Sequence, residues 1–203
     1  MKYQKFWKFI AGCIRFWLGI ILLSAGVTKM FHGHFIQLIG PPWMEGELEK
    51  YNLGLYSVFI AYSQIVIGFM LLVKRFSTLG AVMAIPVFAN ILMITISLHW
   101  QGTPYVVTFF LLCNTYLLIY DYHKIKFLIT DDCKPIQNIQ IKRNDSQLDM
   151  LYIIGLIIIL IAVSIRGLGD EFPKILAYIG LGWFVGVYGY GLWKNKKMSN
   201  KQF

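Results

Sequence analysis

The sequence predicts an all-α integral membrane protein, a helical bundle of six transmembrane helices. Three observations carry this. Only 14% of the 203 residues are charged and 57% are hydrophobic, where an ordinary soluble domain carries about 25% charged residues. The mean hydropathy is +0.59, and six apolar runs approach the ~20 residues a helix needs to cross a hydrocarbon core about 30 Å thick. Basic residues also alternate between successive connections, as topology in a bilayer requires. The net charge of +9 does not point to nucleic acid, because the lysines and arginines cluster beside apolar runs. That pattern belongs to membrane orientation and anionic lipid contact.

The first span covers 9–31. Lys2, Lys5 and Lys8 precede it and give it the look of a signal peptide. The run is too long for a usual signal core and contains Arg15, so it reads as a retained span. The connection 32–52 holds His32, His34, Pro41, Pro42 and Trp43, then glutamates at 45, 47 and 49. The proline pair fixes an extended turn, and 44–51 reads as a short surface helix. Spans two to four cover 53–73, 78–98 and 104–122. Pro86 is expected to kink the third and free a backbone carbonyl. The stretch 123–149 is polar and lacks strong periodicity. It reads as a cytoplasmic loop separating a four-span unit, 1–122, from a two-span extension with a basic tail, 150–203. The last spans are 150–166 and 175–193; the sixth carries Gly182 and Gly186 in a G-x-x-x-G pattern that serves close helix packing in membranes. Arg166 is expected to meet Asp170, Glu171 or lipid phosphate.

Fourteen of the nineteen basic residues fall on one side of this topology, in the N-terminal tail, the second and fourth connections and the C-terminal tail. The positive-inside rule places both termini of this multi-pass protein in the cytoplasm. Cys13, Cys113 and Cys133 form no C-x-x-C pair, and none lies in an external connection, so no structural disulfide is expected. Phosphate-binding loops, dinucleotide fingerprints, nucleophile elbows and zinc-ligand spacings are absent, and no metal site is predicted.

Two cations inside the first span carry the chemical interest. Arg15 and Lys29 have no acidic residue beside them in any apolar run, and a charge at that depth costs roughly 2.5–3.5 kcal/mol on insertion scales. Their separation of fourteen residues returns Lys29 to within about 40° of Arg15 on a helix. Gly19, Leu22 and Gly26 lie between them on the same face, and the small residues admit a neighbouring helix closely. Each cation either snorkels to headgroups or turns into the bundle. An internal arrangement pairs Arg15 with Asp121, at the end of span four, and with Asn114 seven residues earlier on the same face. This would be structural, since buried ion pairs fix geometry more than they add stability.

Gln64 and Asn90 are the mid-span amides of helices two and three. They either bond between helices or line a small-molecule pocket. Lys29, His32 and His34 gather with His99, Trp100 and Gln101 at the external ends, where Trp43 can fold over them; Trp100 reads first as an interfacial anchor. Bis-histidine haem is disfavoured because the histidines lie near loops. A quinone headgroup needs donors to its carbonyls near the interface, and His, Lys and aromatic residues supply them. The candidate ligand site is therefore Lys29, His32, Gln64, Asn90 and His99. The lack of a mid-membrane carboxylate argues against a transporter with a carboxylate proton relay.

Residues 9–122 resemble the DoxX family of small bacterial membrane proteins. The likeness rests on Arg15-Phe16-Trp17-Leu18-Gly19 opening the first helix and Ser24-Ala25-Gly26-Val27-Thr28-Lys29 closing it. A Gly68-centred second helix ending Leu71-Leu72-Val73-Lys74-Arg75, then Leu79-Gly80-Ala81, and His99 ending the third helix complete it. The resemblance implies a four-helix membrane bundle and a redox-associated role, since some relatives are subunits of a thiosulfate:quinone oxidoreductase and others are tied to oxidant defence. Quinone and a redox protein become the implied partners, beside membrane lipids. Family members often carry a glutamate midway along helix two; Gln64 stands there here, and a neutral amide shuttles no proton. A non-catalytic subunit is thus expected in preference to a stand-alone enzyme, and the two extra spans add a surface for partner docking. The alternatives are a membrane scaffold locked by Arg15, Asn114 and Asp121 and, less favoured, a small-anion carrier. The oligomeric state stays open.

Overall fold

In the computed structural model the described residues are 2–31, 44–129, 146–165 and 171–199. They form eight helices: α1 (Lys2–Met30), α2 (Met44–Glu49), α3 (Gly54–Leu72), α4 (Ser77–Ser97), α5 (Thr103–Tyr120), α6 (Tyr122–Ile129), α7 (Ser146–Ser164) and α8 (Glu171–Ser199). All but the short α2 and α6 are long and apolar enough to cross a membrane, which leaves six candidate spans. The protein is an all-α, multi-pass helical bundle. It divides into two compact units, Met1–Gln140 and Ile141–Phe203.

In the first unit, α1 packs on α3, α3 on α4, α4 on α5, and α5 closes the ring against α1. Tight turns at 73–76 and 98–102 make α3, α4 and α5 antiparallel neighbours in sequence order. The second turn needs left-handed backbone, with φ of 53° at His99 and 90° at Gly102. The core joins Leu18 and Leu22 of α1, Ile60, Ile67 and Leu71 of α3, Phe88 and Ile91 of α4, and Phe110 and Leu117 of α5. α2 lies on α3 and buries Met44 and Leu48, in keeping with the short helix expected over 44–51.

Glycine sets how closely α1 and α3 meet. A methyl group on Gly26 would stand 2.6 Å from the Ala61 carbonyl oxygen, and one on Gly68 would stand 2.6 Å from the Leu23 nitrogen and 2.7 Å from the Gly19 oxygen. Side chains are excluded there because the two backbones touch, the arrangement that drives helix association where lipid supplies no hydrophobic force.

Two sequence expectations change. The loop expected over 123–149 opens with a helix: the chain turns at Asp121, whose carbonyl accepts from the Lys124 and Ile125 N–H groups, and winding resumes in α6. In the second unit, Gly182 and Gly186 take no part in packing α8 on α7. An added methyl group at either would meet nothing within 4 Å among the described residues. Gly180 takes that role against Ile159, while Trp183 Nε1 donates to the Leu151 carbonyl at 3.0 Å and Tyr152 packs on Phe184.

Candidate functional site

The Cα–Cβ bond of every helical residue tilts toward the helix N-terminus. For Lys29, one residue from the end of α1, that tilt directs the side chain away from the nearer surface and into the bundle. Lys29 Nζ donates to Gln64 Oε1 at 2.7 Å, and both residues are only 4% exposed. Gln64 gets there by phase: Ile60, Ala61, Gln64, Ile65 and Gly68 form the buried face of α3, and the contact of Gly26 with Ala61 and Ile65 brings α1 within reach. An ammonium has three donors and a carboxamide adds two more. Among the described residues only the Lys29–Gln64 bond uses any of them. The pair is a donor-rich, buried cationic group suited to a carbonyl or anionic oxygen.

Arg15 is treated differently. Its tilt points toward the near end of the bundle, where its Nη2 meets Asp121 Oδ2 at 2.5 Å. Asp121 is fully buried at the end of α5 and also accepts from Thr78 Oγ1 of α4 at 2.8 Å and Lys124 Nζ of α6 at 2.9 Å. The Arg15 guanidinium lies 5.7 Å from the centre of the Tyr120 ring, within the range of a cation–π contact. Burial by itself pushes the Asp121 carboxyl up; the hydrogen bonds from Lys124 and Thr78 and the charges of Arg15 and Lys124 outweigh it and hold the group below its usual range. One carboxylate thus ties α1, α4, α5 and α6 together.

The structure separates the remaining candidates. Asn114 does not share Arg15: its Nδ2 donates to the Ala81 carbonyl at 2.8 Å, joining α5 to α4. Seven residues set Asn114 about 10 Å from Asp121 along the helix, and Arg15 reaches the Asp121 end only. Arg15 Nε and Asn114 Oδ1 are buried without a hydrogen-bond partner among the described residues. Asn90 does not line a site with Gln64. It follows the buried Phe88 by two residues, which turns it about 160° away, and it is exposed on the outer face of the four-helix unit. His99 is exposed in the α4–α5 turn. His32, His34, Trp43 and Arg166 lie outside the described residues. Sequence reasoning missed Thr78 and Lys124 as partners of Asp121. Lys124 carried a signal, three residues on from the acid; Thr78 is brought in across the α4–α5 hairpin and carried none.

Comparisons with protein-family models, with curated proteins and with solved structures find no match to this chain.

Proposed function

We propose that this protein is a redox-associated subunit of a bacterial inner membrane, built on a DoxX-type four-helix unit, which holds a quinone-like or small anionic ligand at Lys29 and Gln64. The observation that carries the proposal is the buried Lys29 ammonium, whose hydrogen-bonding partner among the described residues is a neutral amide. A buried charge without a countercharge is costly and marks a functional site by default. Gln64 takes one of three donors, and a ligand oxygen supplies an acceptor to the two that remain. With Gln64 in place of a carboxylate the pair binds and orients but relays no proton, which suits a non-catalytic subunit. Both termini lie in the cytoplasm, by the distribution of basic residues. Mass spectrometry of small molecules carried through gentle solubilisation identifies the ligand, and Lys29→Met abolishes its binding. Unchanged binding by the purified variant removes the proposal.

The Asp121 cluster favours a second reading, a non-enzymatic scaffold that recruits a partner through α7 and α8. Arg15→Leu then lowers the yield of folded protein, and no small molecule accompanies the wild-type chain.

A further inference from the structure

α4 turns two faces outward from its own axis, and only one is used inside the four-helix unit. Ser77, Gly80, Ala81, Ala84, Phe88, Ile91 and Thr95 are buried against its neighbours. On the other side, Leu79, Met83, Pro86, Asn90, Met93 and Ser97 are all exposed. Their spacings are 4, 3, 4, 3 and 4 residues. That alternation is the seam along which two helices pack at a shallow left-handed crossing, in water and in membranes alike.

Asn90 makes the seam more than an apolar face. In a helix running from 77 to 97 it stands three residues past the middle, about 4.5 Å along the axis, well inside the hydrocarbon. Its carboxamide takes no hydrogen bond among the described residues. An amide facing lipid tails is unsatisfied, and in that solvent the deficit is large.

We infer that α4 is the self-association helix of this protein, and that two copies pack α4 against α4 with Asn90 facing Asn90. A carboxamide carries both donors and acceptors, so it complements itself. Copies inserted in the same orientation and related by a two-fold axis along the membrane normal bring position 90 to equal depth in both. The other mid-span carboxamides of the four-helix unit are engaged inside it, Gln64 with Lys29 and Asn114 with the Ala81 carbonyl, so the carboxamide a second copy presents at this depth is Asn90 itself. A single asparagine in such a seam fixes register and copy number. Met83 and Met93 adapt to the facing surface, and Ser97 permits close approach at one end.

The test uses the full chain with Cys13, Cys113 and Cys133 replaced by alanine. Met83→Cys and Met93→Cys, oxidised in native membranes, give disulfide-linked dimers, whereas Leu112→Cys on the exposed face of α5 gives few. Energy transfer between labelled copies in lipid vesicles then reports the dissociation constant. Asn90→Leu weakens dimerisation by roughly threefold to thirtyfold, the range of membrane amide hydrogen bonds, while heat resistance of the monomer is unchanged because the residue is exposed. A monomer throughout, cross-linking as frequent at Leu112, or undiminished dimers with leucine at position 90 overturn the inference.

Discussion

Replacing Asp121 by asparagine keeps the side chain's shape and its acceptor for Thr78 but removes the charge that Arg15 and Lys124 share. Removing one partner of a fully buried ion pair costs about 3–5 kcal/mol. Arg15 retains 19% of its side-chain exposure, which puts the loss at the lower end. Lys124 is half exposed, and such a pair adds roughly 0–1 kcal/mol. The expected cost is about 3 kcal/mol. By the scaling of chains of this size, 2–4 °C per kcal/mol, it lowers the half-inactivation temperature by roughly 6–12 °C. The assay is the fraction of monodisperse protein surviving a heating series in detergent. A second measurement fixes the sign. Asp121 is held below its ordinary value of 3.8 in the fold, so its contribution is present above about pH 4 and is lost as pH falls through the folded value. The wild-type protein therefore loses stability on that acid limb, and Asp121→Asn lacks this component. Arg15→Met combined with Asp121→Asn is no worse than the poorer single variant, because each removes the same contact. A shift within 1 °C of wild type for Asp121→Asn, or single effects that add to within about 0.5 kcal/mol, refutes the reasoning.

The other predictions concern packing and the buried amine. Gly68→Ala places a methyl group 2.6 Å from the Leu23 nitrogen, where only backbone can move. It costs roughly 1–3 kcal/mol and lowers folded yield, whereas Gly182→Ala, with open space around it, stays within about 0.5 kcal/mol of wild type in the same heating assay. Gly102→Ala puts a side chain on backbone at φ 90° and costs about 1–2 kcal/mol. Lys29→Met with Gln64→Leu removes a buried charge and its amide together, and heat resistance holds or rises while ligand binding disappears. A large loss of stability in that double variant makes the pair structural.

Span number was legible because lipid imposes it on length and composition alone. The stripe from Arg15 through Gly19 and Gly26 to Lys29 was legible as well, since its phase depends on helical geometry and not on neighbours. What resisted reading was direction within uniformly apolar helices. α4 shows no strong polar–apolar division, so nothing local distinguishes the face of Phe88 from that of Asn90; tertiary partners decide it. Glycine motifs have the same ambiguity. Gly182 and Gly186 have the spacing of a packing motif, yet Gly180 sits against Ile159. A seam needs small residues aimed at the partner, and spacing does not supply the aim. Winding after Asp121 was hidden because α6 spans eight residues, too few for periodicity to emerge.

The two cations of α1 pose one physical problem and meet it in opposite ways. Both side chains lean toward the N-terminus of their helix. For Arg15 that is the nearer surface, and the guanidinium finds a carboxylate, with an aromatic ring at its side. Desolvation is offset by countercharge, and stability alone explains why an arginine stands there. For Lys29 the same lean carries the ammonium away from the nearer surface to an amide oxygen. One neutral acceptor does not repay the desolvation of a full charge, and a leucine pair at the crossing fills the space at lower cost. Natural sequences carry such local losses mainly where a site needs them. The structural account that suffices for Arg15 thus falls short for Lys29, and a ligand that contributes the second acceptor makes that placement intelligible.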